Sequence, residues 1–463
     1  MKSDDFFYDN ETKYFVLQPQ DKQQRNKKEN YLKSVGFYKE QDKKRKLSGR
    51  FNAEHIKDSL ANALQVVFEV TENCNLDCTS CGYGELYSGK NSKREKKNLP
   101  LVYAINFLDF INKFLNQNLN RSLNKRIAIS FYGGEPLLNI EFIKSIVDYV
   151  NKIKNENFDP RFAMTTNALL LRKHIAFLAE NNFRILVSLD GNKNNNSYRM
   201  YPNGKEAFDE IIENIDFVYQ NYPEFFRKSV DFNSVIHNKN SVSEAFNFIL
   251  DRYKKNTKLS ELNTSGINED KKHEFWEKYK NINEDLDQSE DYRFIRDKLS
   301  LETPIVGQVS KFIHTYTNNV YQKYIDFFEA PNNTTYLPTG TCIPFSRKIF
   351  ITTKGKILPC ERISDEFSTM GYISESTVAI DYDRITSYMN SIYDKLWDTY
   401  CKQCFYADKC MQCIFNLDLN KDKLVCHGYK HESKSTQIIF NYLNALNKER
   451  KFYKRLLKEV FYV

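Results

Sequence analysis

Short apolar runs alternate with longer amphipathic segments between residues 66 and 254. The runs are rich in β-branched and aromatic side chains, as strands are, and they read QVVFEV (65–70), RIAISFY (126–132), RFAMTT (161–166), FRILVSL (183–189) and VDFNSVI (230–236). The segments with helical periodicity cover 101–115, 140–153, 174–182, 207–219 and 242–253. This alternation predicts helical crossovers and a parallel α/β sheet, whose chemistry lies at the carboxyl ends of the strands.

The regions on either side of this core have other patterns. A plausible strand at Lys13–Leu17 lies in a polar N-terminal region, and the basic stretch at 39–50 is interpreted as a solvated linker. Amphipathic spacing at 438–461 predicts a packing helix rather than a membrane or partner helix. The predicted organisation is an N-terminal extension (1–65), an α/β core (66–254), a bridging helical region (255–335), a cysteine-rich domain (336–430) and a C-terminal helix (431–463).

Composition places the chain among folded proteins of a reducing compartment. Its 463 residues are 41% hydrophobic, enough for a large core. The net charge of +8 comes from 68 basic and 60 acidic side chains spread along the chain, so neither a nucleic-acid nor a membrane partner is expected. The start lacks the apolar region of a signal peptide and no apolar run reaches transmembrane length, which predicts a cytoplasmic protein. Ten cysteines in that compartment are expected to be metal or cluster ligands before disulfides.

Three cysteines follow the first predicted strand, in the sequence TENCNLDCTSCGYG. Cys74, Cys78 and Cys81 have C-x3-C-x2-C spacing, and three thiolates hold three irons of a four-iron cluster while the fourth iron has no protein ligand. A zinc knuckle or a chance pattern is the alternative. Zinc normally takes four ligands, and no His or fourth Cys lies nearby in the sequence. An iron with an open position at a strand end suits a substrate that chelates it.

This motif resembles the cluster motif of the radical S-adenosylmethionine (SAM) superfamily, whose core is a partial (β/α)6 barrel. The resemblance implies that SAM chelates the open iron and yields a 5′-deoxyadenosyl radical, which abstracts hydrogen from the substrate. It also implies an electron donor, such as flavodoxin or ferredoxin, as a partner. Ser80 departs from the family, since an aromatic residue usually lies there, near the adenine; Tyr83 is the alternative aromatic face.

Polar motifs follow the next two predicted strands. The second strand ends in Gly133, Gly134 and Glu135, which resemble the family's GGEP motif. That resemblance implies that the backbone and the Glu135 carboxylate bind the amino group of SAM. The third strand ends in Thr166 and Asn167, which are similar to the family's TNG segment and are therefore expected to bind the cofactor.

The fourth strand ends in the sequence SLDG, and an arginine follows it. The resemblance places Ser188 and Asp190 near the SAM ribose or the substrate, and Arg199 at the SAM carboxylate, which a guanidinium fork suits. Taken alone, the segment also fits a helix N-cap aspartate followed by an exposed arginine. The His-Asp pair that the family has before the arginine is replaced by Asn196 and Ser197.

The remaining seven cysteines lie in the C-terminal part of the chain, and they are too many for one four-coordinate metal. They are Cys342, Cys360, Cys401, Cys404, Cys410, Cys413 and Cys426. Their spacing resembles that of the SPASM domain, which holds two auxiliary [4Fe-4S] clusters, so three [4Fe-4S] clusters are expected in all. The resemblance implies an outer cluster on Cys401, Cys404, Cys410 and Cys426, and an inner cluster on Cys342, Cys360 and Cys413. The alternative is a structural zinc ribbon on Cys401, Cys404, Cys410 and Cys413.

The SPASM resemblance implies a maturase that installs a cross-link or another modification in a ribosomally made precursor peptide, and residues 1–65 are a candidate leader-peptide contact. Glu361, where sulfatase-maturing relatives have a proton-accepting Asp, is either a catalytic base or a surface carboxylate. An anaerobic sulfatase-maturing enzyme, which forms formylglycine, is the enzymatic alternative, although an eighth SPASM cysteine is missing. A non-catalytic iron–sulfur or zinc-binding electron-transfer protein is the alternative of another class, and it would not need the polar strand ends.

Overall fold

The computed structural model describes residues 50–87, 96–121, 125–264, 266–299, 343–363 and 369–404, with short stretches at 6–8, 15–17, 320–321, 461–462 and within 410–431. The chain divides into two compact units. The larger unit is Ala53–Thr303 with Ile343–Ile385, and the smaller unit is Met1–Asn52, Pro304–Cys342 and Thr386–Val463. Within the described ranges, no helix has both the length and the apolar character needed to cross a membrane.

Strands and helices alternate through most of the larger unit. The strands of the chain are β1 (Phe6–Tyr8), β2 (Phe15–Leu17), β3 (Gln65–Thr71), β4 (Arg126–Gly133), β5 (Asp159–Thr166), β6 (Arg184–Ser188), β7 (Val230–Ile236), β8 (Thr257–Glu261), β9 (Val320–Tyr321), β10 (Ile349–Ile351), β11 (Lys356–Leu358), β12 (Gly371–Ile373), β13 (Val378–Ile380), β14 (Asp418–Asn420), β15 (Lys423–Val425) and β16 (Phe461–Tyr462). The helices are α1 (Ala53–Ala61), α2 (Leu101–Leu115), α3 (Ile140–Ile153), α4 (Leu171–Glu180), α5 (Phe208–Asn221), α6 (Pro223–Ser229), α7 (Val242–Tyr253), α8 (Lys272–Lys278), α9 (Ile282–Asp287), α10 (Tyr292–Lys298) and α11 (Tyr382–Thr399).

The core of the larger unit is a parallel sheet in which β3 to β8 are neighbours in sequence order. Helices connect the successive strands, so the predicted α/β class and barrel-type fold are confirmed. Helices α2, α3 and α7 have the predicted bounds. Strand β3 is buried along nearly its whole length, because a strand of a parallel sheet is covered on both faces.

The sixth parallel strand, β8, lies in the segment that the sequence analysis assigns to the bridging region. Its sequence, TKLSE, lacks a continuous apolar run, and only Thr257 is fully buried. The reason is that β8 pairs with β7 alone and forms the edge of the sheet. An edge strand needs less apolar surface than a central strand, so hydrophobic periodicity does not reveal it.

Four strands from the cysteine-rich region extend the same sheet beyond β3. Strand β10 pairs parallel to β3, with Ile349 opposite Val66, and β11, β12 and β13 follow as an antiparallel meander. The predicted domain 336–430 is therefore divided between the two units, since only Ile343–Ile385 belongs to the larger one.

The smaller unit contains the hairpins β1–β2 and β14–β15 and the parallel pair β9–β16. The greater part of α11 also lies in it, and Asn390 of this helix exchanges hydrogen bonds with the backbone of Phe51 at 2.9 and 2.8 Å. The predicted helix at 438–461 lies outside the described residues, apart from the first residue of β16.

Candidate active site

The first cysteine motif forms a tight loop directly after β3. The Cys81 N–H donates to Cys78 O at 3.0 Å, and the Gly84 N–H donates to Cys81 O at 2.8 Å. Backbone donors also point at the sulfur atoms: Leu76 N lies 3.5 Å from Cys74 Sγ and Tyr83 N lies 3.4 Å from Cys81 Sγ. N–H groups directed at sulfur stabilise thiolates that bind iron.

The three thiols of this loop share one site. The pKa of Cys78 is raised to about 12, mainly by burial; the Arg199 guanidinium opposes this rise, and the Cys81 and Cys74 thiols add to it. Within the described ranges, no three His, Cys, Asp or Glu side chains converge closely enough to hold a single metal ion. A four-iron cluster binds each of its thiolates at a separate corner, and three thiols of one loop with backbone N–H groups at two of the sulfur atoms fit such a cluster.

Gly133 and Gly134 lie against the segment that leads into the cysteine loop. The Gly134 N–H donates to Thr71 O and the Glu135 N–H donates to Asn73 O, each at 2.8 Å. A Cβ on Gly134 would lie 2.0 Å from Asn73 O, and a Cβ on Gly133, whose φ is +132°, would lie 2.3 Å from Thr71 O. Both positions need glycine because two segments of the chain meet there. The two glycines therefore hold the backbone of Thr71 and Asn73, which leads into the cysteine loop, against the end of β4.

Glu135 is a buried carboxylate that joins the ends of β4 and β5. It accepts hydrogen bonds from Thr166 Oγ1 at 2.8 Å, from Asn167 N at 2.8 Å and from Leu137 N at 3.1 Å. Burial raises its pKa to about 7, although the three hydrogen bonds oppose the rise. A bound cation would stabilise its charged form, which is the property that a ligand of an ammonium group needs.

Asn167 connects β5 with the cysteine loop. Its Nδ2 donates to Asn75 Oδ1 at 2.7 Å and lies 3.8 Å from Cys74 Sγ, while its Oδ1 accepts from Leu169 N at 3.0 Å. Asn167 therefore lies at the strand-end edge where the sequence analysis expects it, and its amide is in contact with the cluster motif.

Ser188 is the last residue of β6. In the segment after this strand, Asp190 and Arg199 form a buried ion pair. Arg199 Nε donates to Asp190 Oδ2 and Nη2 donates to Oδ1, both at 2.9 Å, and the Val235 N–H adds a third bond at 2.9 Å. Burial raises the pKa of Asp190, but Arg199 and His237 together outweigh it, so the pKa lies below its ordinary value. Arg199 is only 9% exposed, so the interpretation as an exposed arginine is wrong.

Three buried polar atoms in the segments next to this ion pair lack a hydrogen-bond partner among the described residues: Asn196 Nδ2, Ser197 Oγ and His237 Nε2. His237 follows β7 and is fully buried, and its Nε2 lies 3.9 Å from Asp190 Oδ2. Buried polar atoms are nearly always paired, so these atoms suit a site that binds water or a polar ligand.

Two tyrosines lie near the third cysteine. The rings of Tyr83 and Tyr132 are 6.1 Å apart, and burial raises the pKa of both hydroxyls well above the ordinary value. Cys81 and Glu361 act on both of these hydroxyls electrostatically. The ring of Tyr83 therefore packs on Tyr132, and its contact with an adenine stays a prediction.

Glu361, which follows Cys360 of the larger unit, is not a surface carboxylate. Its side chain is 14% exposed, and Lys348 Nζ lies 2.8 Å from Oε1. Burial raises the pKa of Glu361, but Lys348 and Arg362 outweigh it, so the pKa lies below its ordinary value. The carboxylate is ionised at neutral pH, as a proton acceptor must be.

The smaller unit brings four of the later cysteines together. Burial raises the pKa of Cys401 to about 12, and its thiol interacts electrostatically with Cys410, Cys404 and Cys426. These four are the residues that the SPASM resemblance assigns to the outer cluster. Cys342 lies outside the described residues.

The sequence analysis missed two acidic residues at the end of β3, which bind Thr353 in the turn between β10 and β11. Glu69 is 6% exposed and accepts from Thr353 N at 3.0 Å, and Glu72 accepts from Thr353 Oγ1 at 2.8 Å. His237 was missed as well. A glutamate inside an apolar strand and a histidine directly after one were the available signals.

Comparison with known proteins gives the following relationships. Residues 68–249 match the profile of the Radical SAM superfamily. A cysteine-type anaerobic sulfatase-maturating enzyme of Clostridium novyi (strain NT) is 32% identical over 148 residues, which are 31% of this chain and 37% of that protein. The radical SAM cyclopropyl synthase TigE of Paramaledivibacter caminithermalis is 25% identical over 341 residues, which are 73% of this chain and 64% of that protein. The chain thus spans less than two thirds of the length of these curated relatives.

The solved structure of native anSMEcpe with bound AdoMet shares the fold, with a TM-score of 0.51 and 16% identity. The match covers 85% of this chain and 98% of that one.

Proposed function

Because this chain belongs to the radical SAM superfamily through the domain at residues 68–249, we propose that it abstracts hydrogen from a ribosomally made precursor peptide and installs a cross-link or another modification. The observation that carries the proposal is the group of four interacting thiols around Cys401, in addition to the complete cysteine loop after β3. A second set of cluster ligands is typical of the superfamily members that act on peptides.

In this proposal Cys74, Cys78 and Cys81 hold the catalytic [4Fe-4S] cluster. When bound, the cluster and SAM supply the 5′-deoxyadenosyl radical. The buried Glu135 carboxylate is the acceptor for the SAM ammonium group; burial raises its pKa to about 7, and a bound ammonium group would favour its charged form. Gly133 and Gly134 keep the entry to the cysteine loop against β4.

The strand-end residues of β5 and β6 complete the cofactor site in the proposal. Thr166 and Asn167 hold the Glu135 carboxylate in place through their hydrogen bonds. Ser188 and Asp190 border the SAM ribose or the substrate. The buried polar atoms of Asn196 and Ser197 are the additional groups that a polar ligand can satisfy.

The auxiliary ligands are proposed as two sets. Cys401, Cys404, Cys410 and Cys426 hold an outer [4Fe-4S] cluster, and Cys342, Cys360 and Cys413 hold an inner one. Glu361 is the proton acceptor beside the inner set. Its ion pair with Lys348 keeps it ionised and fixes the Oε1 oxygen. A flavodoxin or ferredoxin supplies electrons from outside the chain.

The names of relatives and structural neighbours agree with SAM and a peptide as the ligands of this chain. TigE is named as a cyclopropyl synthase, and anSMEcpe was solved with AdoMet and the Kp18Cys peptide. The second candidate is a sulfatase-maturating activity, which the name of the Clostridium novyi relative favours. In either case the expected substrate is a peptide segment.

The test has two stages. Anaerobically reconstituted and reduced protein is expected to convert SAM to 5′-deoxyadenosine, whereas the Cys74→Ala variant is not; equal amounts from both would contradict the proposal. The full chain is then co-expressed with the short open reading frames beside its gene, and the peptides are analysed by mass spectrometry. Loss of two hydrogens with a blocked thiol indicates a thioether, and an unchanged mass with exchanged Cα hydrogen indicates epimerisation. An aldehyde on a sulfatase peptide would favour the second candidate.

A further inference from the structure

The segment after β6 is hydrogen-bonded to the cysteine loop on both sides of Cys78. The Asp77 N–H donates to Met200 O at 2.7 Å, and the Thr79 N–H donates to Tyr198 O at 3.1 Å. Cys78 and Arg199 are therefore the middle residues of two segments that these bonds hold together. The pairing does not depend on a cofactor, because it is made by the backbone.

The charge on Arg199 is fixed in position. Asp190 holds the guanidinium through two hydrogen bonds of 2.9 Å. Its carboxylate also accepts from Val235 N, and its backbone N–H donates to Asn196 Oδ1 at 3.1 Å. The two side chains are 9% and 0% exposed. A buried charge is screened less than an exposed one, so it acts strongly on nearby groups.

We propose that Arg199, held by Asp190, is a positioning residue that raises the reduction potential of the cluster bound by Cys74, Cys78 and Cys81. The inference rests on the proposed cluster. Reduction adds an electron to the cluster, and a fixed cation beside one of its thiolates favours the more negative state. The electrostatic effect of Arg199 on Cys78, which opposes the effect of burial, agrees with this placement. The negative charge of Asp190 lowers the reduction potential, so the potential depends on the opposing effects of the two side chains.

This role differs from that of a SAM ligand because it needs no SAM. The measurement is therefore a redox titration of the anaerobically reconstituted full chain without SAM, followed by electron paramagnetic resonance. The signal of the catalytic cluster is identified as the one that changes when SAM is added to a parallel sample. SAM affinity is measured separately by equilibrium binding.

The expected shifts have opposite signs. Arg199→Leu is expected to move the midpoint potential to a more negative value, and Asp190→Asn to a more positive one, since the first removes a cation and the second an anion. Arg199→Lys keeps the charge and is expected to stay closer to the wild-type potential. The matched control is Arg172→Leu, an arginine on α4 whose side chain is half exposed and whose loss is expected to leave the potential unchanged.

Several results would overturn the proposal. Shifts in the same direction for Arg199→Leu and Asp190→Asn would indicate a structural role, as would loss of iron in both Arg199→Leu and Arg199→Lys. A weakened SAM affinity with an unchanged potential would assign Arg199 to the SAM carboxylate instead. Failure of the proposed function is distinct, because wild-type protein would then form no more 5′-deoxyadenosine than the Cys74→Ala variant, whatever the potential of its cluster.

Discussion

The backbone N–H of Thr353 donates to Glu69 Oε2 at 3.0 Å across 284 residues of sequence. The Thr353 hydroxyl also donates to Glu72 Oε1 at 2.8 Å. The two carboxylates lie on either side of the end of β3, directly before the cysteine loop. The turn between β10 and β11 therefore holds the strand that carries the first cysteine motif.

Thr353→Val is expected to destabilise the protein by about 1–2 kcal/mol, because the variant keeps the shape and the backbone bond but loses a hydrogen bond to a charged group. Urea unfolding of the apo protein measures the change. Thr377→Val, at an exposed position before β13, is the control and is expected to change the free energy of unfolding by less than about 0.5 kcal/mol. Equal effects of the two variants would show that the Glu72 contact contributes nothing.

Gly134→Ala is expected to prevent iron uptake at the first cysteine loop. The new Cβ would lie 2.0 Å from Asn73 O, so the backbone leading to the loop has to move, at a cost of about 1–3 kcal/mol or more. The control is Gly82→Ala inside the loop itself, where a Cβ meets nothing within 4 Å. Iron content after anaerobic reconstitution is the measurement. Normal iron uptake by Gly134→Ala would contradict the close approach of the two segments.

Glu135 predicts a pH dependence of stability in the protein without SAM. Its pKa rises from 4.5 to about 7 because of burial, so folding takes up a proton between these values. Its contribution to stability is therefore lost as the pH rises through this window, by at most about 1.4 kcal/mol per pH unit, and levels off above about pH 7. Glu135→Gln has no carboxyl group that titrates in this window. As the pH rises, the free energy of unfolding of the wild type is therefore expected to fall relative to that of the variant. Parallel curves would show that the carboxylate is ionised throughout.

Glu361→Gln separates SAM cleavage from product formation. If Glu361 accepts the substrate proton, the variant is expected to form 5′-deoxyadenosine at close to the wild-type rate while modified peptide falls by about 10²-fold or more. Chromatography with mass spectrometry quantifies both products in one reaction. Glu213→Gln, an exposed carboxylate on α5, is the control. Unchanged peptide modification in Glu361→Gln would leave this residue with a structural role only.

The grouping of the later cysteines predicts which variants share a phenotype. Cys410→Ser and Cys426→Ser are each expected to lose the same cluster of about four irons, and the double variant is expected to lose no more than either single one. Cys413→Ser is expected to affect a different cluster. Iron content with Mössbauer spectra distinguishes these cases. An additive loss in the Cys410 and Cys426 pair would contradict a common site.

The pattern of apolar and polar residues predicted those strands and helices whose burial is visible in their own sequence. The central strands have continuous apolar runs and the helices between them have clear periodicity, so both could be identified. Strands β10 to β13 are three residues each, too short for a period to be recognised. Helix α1 was also missed, since its buried face consists of few residues in a polar region.

In the candidate site, too, the features set by local sequence were predicted and those set by distant contacts were not. The three cysteines of the loop were found because their spacing is local. The ion pair of Asp190 with Arg199 was not predicted, since the sequence does not show whether a guanidinium faces a ligand or a neighbouring carboxylate. The contact of Thr353 with Glu69 joins distant segments, and no local signal reveals it.

The position of β3 between β4 and β10 has a consequence for biosynthesis. One edge of β3 is covered by a strand made soon after it, but the other waits until residues 349–351 have left the ribosome. Until then the nascent chain presents an unpaired strand edge next to reactive thiols, which favours aggregation and oxidation. Yield from cells is therefore expected to depend on translation speed and on a reducing environment.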